Sequence, residues 1–157
     1  MSDLFISCFS LNVRGIRELT KRKALFLFCK AQKKNIHFLQ ETHSNSKDES
    51  FWRNQWGGKM FFCHGSNRSG GVMILLDHNF NASVTECHTS TEGRWLIVVL
   101  QTGNSLFILA NVYGFNNSIL NNALFQGLST KILLLKNKFP SASFIIGGDF
   151  NEAPDLF

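Results

Sequence analysis

Asn12, Glu41, Asn111, Tyr113, Asp149 and Asn151 share one circumstance: each stands at or just past the end of a run of apolar residues. A carboxylate in such a place is expensive unless it meets a cation or several donors, and two of the six are carboxylates. With amides beside them they form a hard oxygen donor set, which suits Mg²⁺, or Mn²⁺ in its place, and not zinc, which takes His or Cys. Taken singly, each acid could equally cap the loop or helix that follows it. Tyr113 is the one tyrosine in a chain with 16 phenylalanines. Where Phe supplies bulk everywhere else, a lone hydroxyl at a strand end points to a hydrogen bond with a phosphate, although a strand-end tyrosine can also be only that.

The elements that must present these residues are legible from periodicity. Residues 4–12 alternate and are rich in Phe and Ile, as a strand is, and Arg14-Gly15 turns the chain into a basic helix over 17–34. Ile36–Gln40 is a short apolar strand, so this is a strand, helix, strand unit with parallel strands. Strand-like runs at 59–64, 72–76, 81–87, 95–100 and 106–112 follow, separated by short Gly, Asn or Ser loops, and read as an antiparallel meander. Thr102-Gly103-Asn104 is its clearest turn. Trp52 and Trp56, four apart, mark the apolar face of a short helix before it. Leu120, Leu124, Leu128, Ile132, Leu135 and Phe139 recur at helical spacing, which predicts a helix over 118–139 capped by Asn117 or Ser118 and stopped by Pro140. A strand over 143–146 ends in Gly147-Gly148-Asp149 and closes a second strand, helix, strand unit. Four strands expected to be parallel therefore end at Asn12, Glu41, 111–113 and 149–151. In open α/β sheets, ligands sit beyond such carboxyl ends, so all six polar residues should gather at one rim.

Composition bounds the reading. At 157 residues, 44% hydrophobic and 17% charged, the chain is one packed domain or a large piece of one. No apolar run approaches the roughly 20 residues that cross a bilayer, and Asp3 stands where a leader would be basic, so the expectation is a nuclear or cytoplasmic protein, not secreted, with no membrane partner. Cys8, Cys29, Cys63 and Cys87 contain no C-x-x-C pair and read as free thiols in a reducing compartment. The formal charge of +5 is concentrated in residues 1–34, where eight Lys or Arg face only Asp3 and Glu18. Such a helix can follow a phosphate backbone or simply be solvated.

Five motifs in order, S-L-N-V-R-G-I at 10–16, F-L-Q-E-T-H at 38–43, E-G-R at 92–94, N-V-Y-G at 111–114 and G-G-D-F-N at 147–151, resemble the endonuclease domain of LINE-type non-LTR retrotransposons. That domain is a branch of the endonuclease/exonuclease/phosphatase superfamily, which includes abasic-site endonucleases and DNase I. The resemblance implies an α/β fold, a four-layer α/β sandwich (DNase I-like), whose second sheet is expected to be incomplete here, and a Mg²⁺-dependent phosphodiesterase that nicks DNA for a mobile element. Carried over residue by residue, it implies Asn12 and Glu41 at the metal and Tyr113 on the phosphate. Asp149 with Asn151 falls at the attacking water and developing charge. Asn12, Arg14, His43 and Asn111 fall on the substrate side, with His43 near the DNA entrance, and Leu11 stands where relatives often have Trp. DNA is the implied partner and the metal the only implied cofactor; the oligomeric state is left open. The family's closing S-D-H motif does not follow Phe157, so residues 1–157 are expected to form a partial domain that is inactive alone. The alternative is a non-catalytic remnant or weak nucleic-acid-binding fragment, and a phosphoinositide, sphingomyelin or RNA-tail substrate fits the motifs less well.

Overall fold

A computed structural model of the chain describes residues 5–152. The strands are β1 (Cys8–Asn12), β2 (Ile36–Gln40), β3 (Met60–Cys63), β4 (Val72–Leu76), β5 (Ser83–Thr89), β6 (Trp95–Thr102), β7 (Ser105–Tyr113) and β8 (Ser143–Asp149), and the helices are α1 (Leu19–Ala31), α2 (Glu49–Trp56) and α3 (Ser118–Lys138). Two four-stranded sheets result, ordered β1-β2-β4-β3 and β5-β6-β7-β8. β1 pairs parallel with β2 and β7 parallel with β8, while every other pairing is antiparallel.

Three apolar clusters separate four layers. Phe26, Cys29, Trp52 and Trp56 fill the outer face of the first sheet with Leu39, Met73 and Leu75, and so hold α1 and α2 there. Ile36, Phe38, Ile74, Leu96, Val98 and Leu109 lie in the middle cluster, between the sheets. Leu128 and Leu135 of α3 meet Ile97, Val99, Ile108 and Val112 on the outer face of the second sheet. Alternate residues of one strand therefore serve different layers, Phe38 inward and Leu39 outward, as a pleat requires. The α/β sandwich expected from the resemblance is present.

Four expectations are corrected. The strands read as one meander are divided: β3 and β4 join the first sheet through β2, and β5 begins the second. The parallel strands accordingly form two pairs in separate sheets. The second sheet, expected to hold little beyond the 106–149 unit, has four strands because β5 and β6 belong to it. Helix α1 is shorter than 17–34. The Glu18 carboxylate caps it by accepting from the Thr20 and Lys21 amides at 2.8 and 2.6 Å, and Lys33, with φ 53°, lies beyond its end. The strand expected from residue 4 begins at Cys8, and residue 4 itself lies outside the described residues. Among the described residues no helix is long and apolar enough to cross a membrane.

Candidate active site

Register brings the carboxyl ends of the parallel pairs together: Asn12 is opposite Gln40 in the first sheet and Tyr113 opposite Asp149 in the second. The two sheets then meet at this rim, where Asn12 Nδ2 donates to Asp149 Oδ2 at 3.0 Å. Glycines make the approach possible. A Cβ on Gly147 would sit 3.0 Å from the Phe38 ring of the opposite sheet, and one on Gly148 would sit 2.0 Å from the Val112 carbonyl oxygen. The G-G-D run is thus a geometric requirement for placing Asp149 against Asn12.

The remaining residues are set by unusual backbone. Arg14, Glu41, His43 and Asn151 all have positive φ, between 49 and 57°, a region costly for residues other than glycine and held only where surroundings dictate it. For Glu41 and His43 the surroundings are visible. Gly15 N donates to Glu41 O at 2.6 Å and Ile16 N to Thr42 O at 3.2 Å, while Thr42 N and His43 N donate to Gly71 O and Gly70 O at 3.0 and 3.1 Å. Four of the five described non-glycine residues with positive φ lie at this one rim; the fifth, Lys33, ends α1.

Each expected site residue can be placed. Asn12 Oδ1 accepts from Arg14 N at 3.0 Å, and the Arg14 side chain is exposed beside it. Asp149 Oδ1 accepts from Asn151 N at 3.2 Å, and Asn151 Nδ2 donates to Gly114 O at 2.8 Å. Burial chiefly, then the Glu41 carboxylate, push the Tyr113 hydroxyl above its usual pKa; Arg94 opposes the rise and Asp149 adds to it. The phenol is thus a neutral donor with both carboxylates beside it. A cleft of about 600 Å³ opens at the rim, lined in part by Asn12, Gln40, Asp149 and Asn151.

Asn111 is not a substrate contact. It is fully buried, donates through Nδ2 to Leu39 O at 2.9 Å and Met73 O at 2.8 Å, and accepts from Gln40 Nε2 at 2.7 Å. Both its amide hydrogens are consumed in riveting β7 to the first sheet. The basic helix is likewise not a single basic face: Arg22 is buried, bonded to Ile16 O, Arg17 O and Gln55, and Arg17 pairs with Asp48 at 2.6 Å.

Two residues inside recognised motifs received no role from sequence. Gln40 links Ser10 and Asn111, at 3.1 and 2.7 Å, and a buried amide inside an apolar strand was the available signal. Arg94 stacks 3.8 Å from the Phe115 ring centre and 4.7 Å from that of Tyr113, and donates to Gly114 O at 3.0 Å. Its signal was the E-G-R motif, which by itself assigns no partner.

The donor set fits a hard divalent cation. Glu41 contributes a carboxylate about a quarter exposed, with His43 Nε2 at 3.7 Å, and Asn12 Oδ1 keeps a lone pair beyond its bond to Arg14. No cluster of three or more His, Cys, Asp or Glu that could cage a metal forms among the described residues. An ion here would be held by one or two carboxylates and keep most of its water, which is the habit of Mg²⁺.

Comparison with known proteins gives the family and the fold. Residues 9–157 match the Endonuclease/Exonuclease/phosphatase family, and the chain belongs to that family of hydrolytic enzymes. It is 29% identical over 150 residues to the transposon TX1 uncharacterized 149 kDa protein of Xenopus laevis, covering 96% of this chain and 11% of that protein. Among solved structures it resembles TDP2 from Caenorhabditis elegans, with TM-score 0.73 and 21% identity over 94% of this chain and 48% of that one. It also resembles D. rerio TDP2 complexed with a single-strand DNA product, with TM-score 0.66 and 20% identity over 95% of this chain and 62% of that one. The chain thus spans about a tenth of the transposon protein and about half of the worm enzyme.

Proposed function

We propose that this chain supplies the metal-binding side of a Mg²⁺-dependent phosphodiesterase, with Mn²⁺ able to substitute, that nicks DNA for a mobile element. The observation that carries it is the Asn12–Asp149 bond of 3.0 Å, which ties the two parallel pairs into one rim shared with Glu41 and Tyr113. DNA as substrate is supported by similarity to a transposon protein and by the single-strand DNA product bound to the D. rerio structure. A bound Mg²⁺ supplies Lewis-acid charge stabilisation at the phosphate. Asn12 and Glu41 hold it, Tyr113 donates its hydroxyl hydrogen to a non-bridging phosphate oxygen, and Asp149 with Asn151 orients the attacking water. Arg14, exposed at the rim, meets the phosphate backbone. A nuclear or cytoplasmic place of action goes with that substrate.

A second reading, a remnant that binds without cutting, is favoured for residues 1–157 taken alone by where the histidines lie. His37 is buried beside Trp56, His64 bonds Ser44 and Glu49, His88 bonds Glu86 and His78 lies against Asp77. None of these four bonds to Asn12, Glu41, Asp149 or Asn151, and His43 has its ring turned to Glu41. The test is Mn²⁺ binding followed by electron paramagnetic resonance. Wild type should bind weakly, and Glu41→Ala should weaken binding further. Equal binding by the two removes the metal site.

A further inference from the structure

His43 was expected on the substrate side, and its ring lies beside Glu41. Its Nε2 is buried and has no hydrogen-bond partner. The nearest acid is Glu41, with Oε1 3.7 Å away, just beyond hydrogen-bond length. A buried ring nitrogen left unpaired costs about 1–3 kcal/mol, so the arrangement is one in which a small rotation of the Glu41 carboxylate completes the bond. The ring has little freedom to turn elsewhere. A Cβ on Gly15 would fall 2.7 Å from Nδ1, so the imidazole lies flush against glycine backbone on one edge and faces Glu41 with the other. The backbone beneath is fixed as well: Glu41, Thr42 and His43 are bonded on one side to the loop after β1 and on the other to Gly70 and Gly71. Arg17 also donates to His43 O at 3.2 Å.

We propose that His43 is a positioning residue for Glu41: its Nε2–H holds one carboxylate oxygen so that the other is presented to the metal. The inference rests on Glu41 being a metal ligand, as in the proposed function. Carboxylates that bind metals are commonly held by such outer partners, and losing one typically weakens metal binding by roughly 10–100-fold. Gly15 then has a role of its own, because a side chain there would displace the ring that orients the acid.

The test uses the full 157-residue chain and Mn²⁺ alone, comparing wild type with His43→Leu, His43→Gln, His43→Asn and Glu41→Ala. Leu keeps the bulk and loses the donor, so its Mn²⁺ affinity should fall by roughly 10–100-fold. The Gln amide reaches about as far as Nε2 and should restore binding, whereas the Asn amide reaches only as far as Nδ1 and should not. If Glu41→Ala loses binding while His43→Leu binds as wild type, the positioning role is wrong and the metal site stands. If Glu41→Ala binds as wild type, the metal site itself is wrong. Should His43→Leu fail to fold, the Gln and Asn variants decide, and equal affinity of the two overturns the proposal. A readout free of metal completes the test: long-range proton–nitrogen NMR should show His43 as the Nε2–H tautomer, and an Nδ1–H tautomer would be decisive against it.

Discussion

Replacing Asn111 by Leu should be strongly destabilising, because three groups lose their partner together. Leu39 O, Met73 O and Gln40 Nε2 all bond to that one amide, and the residue is fully buried. An orphaned buried group costs about 1–3 kcal/mol. The low end applies to the carbonyls, since Leu39 and Met73 remain partners across β2 and β4, and Gln40 keeps Ser10. Three groups at about 1–1.5 kcal/mol each give about 3–4.5 kcal/mol, a large share of the roughly 5–15 kcal/mol that holds a domain together. At about 2–4 °C per kcal/mol, Tm should fall by about 6–18 °C. Urea denaturation should show the midpoint moving with little change in slope. A double-mutant cycle with Gln40→Met should reveal strong coupling, because either change already breaks the shared bond. A loss under about 1 kcal/mol, or additive effects of the two, would refute the picture of Asn111 as a rivet between sheets.

Other outcomes follow from the same structure. Burial holds His37 neutral and pushes its pKa down to about 4 from 6.5, against a smaller upward pull from Asp77. Its contribution to stability is therefore complete above about pH 6.5 and is lost as the pH falls toward 4, by on the order of 3 kcal/mol. His37→Phe should flatten the stability–pH curve in that window, and an unchanged slope would count against the burial argument. Gly148→Ala places a Cβ 2.0 Å from Val112 O at a φ of 142° and should destabilise by at least about 2 kcal/mol, with Mn²⁺ binding lost in parallel; intact stability by calorimetry would contradict the close approach. The 157-residue chain alone should relax supercoiled plasmid no faster than background with Mg²⁺, and Glu41-dependent nicking would show that His43 or another group present serves as base.

Element positions were legible where punctuation was strong. Ile36–Gln40 and 72–76 emerge at their observed bounds because turn residues flank short apolar runs, and Pro140 ends α3 as expected. Which sheet each strand joins was less legible, since hairpin logic links neighbours in sequence. A sequence signal did exist: β4 is apolar at every residue, as a central strand is, whereas β5 is mostly polar, as an edge strand is. The rim was legible because both strand, helix, strand units have parallel strands, whose carboxyl ends lie on one side and here carry the polar residues. Asn111 was misread for the same reason, because sequence marks that a polar side chain stands at a strand end but not whether it points to solvent or down between the sheets. The orphaned nitrogen of His43 had no sequence signature, since it depends on Gly15 in a different loop.

The Asn12–Asp149 bond joins residues 137 apart, nearly the whole length of the chain, and this bears on folding order. β1 and β2 can pair once the α1 crossover is made, but the rim cannot exist until β8 has docked, so closing it requires a loop of 137 residues and is expected late. A ribosome would release β1 long before its partner is synthesised, leaving the open edge of that strand to wait through most of translation. An ion that binds the finished rim and not its parts would draw its affinity partly from that last closure. Metal occupancy would then report on completion of the fold as well as on readiness for chemistry.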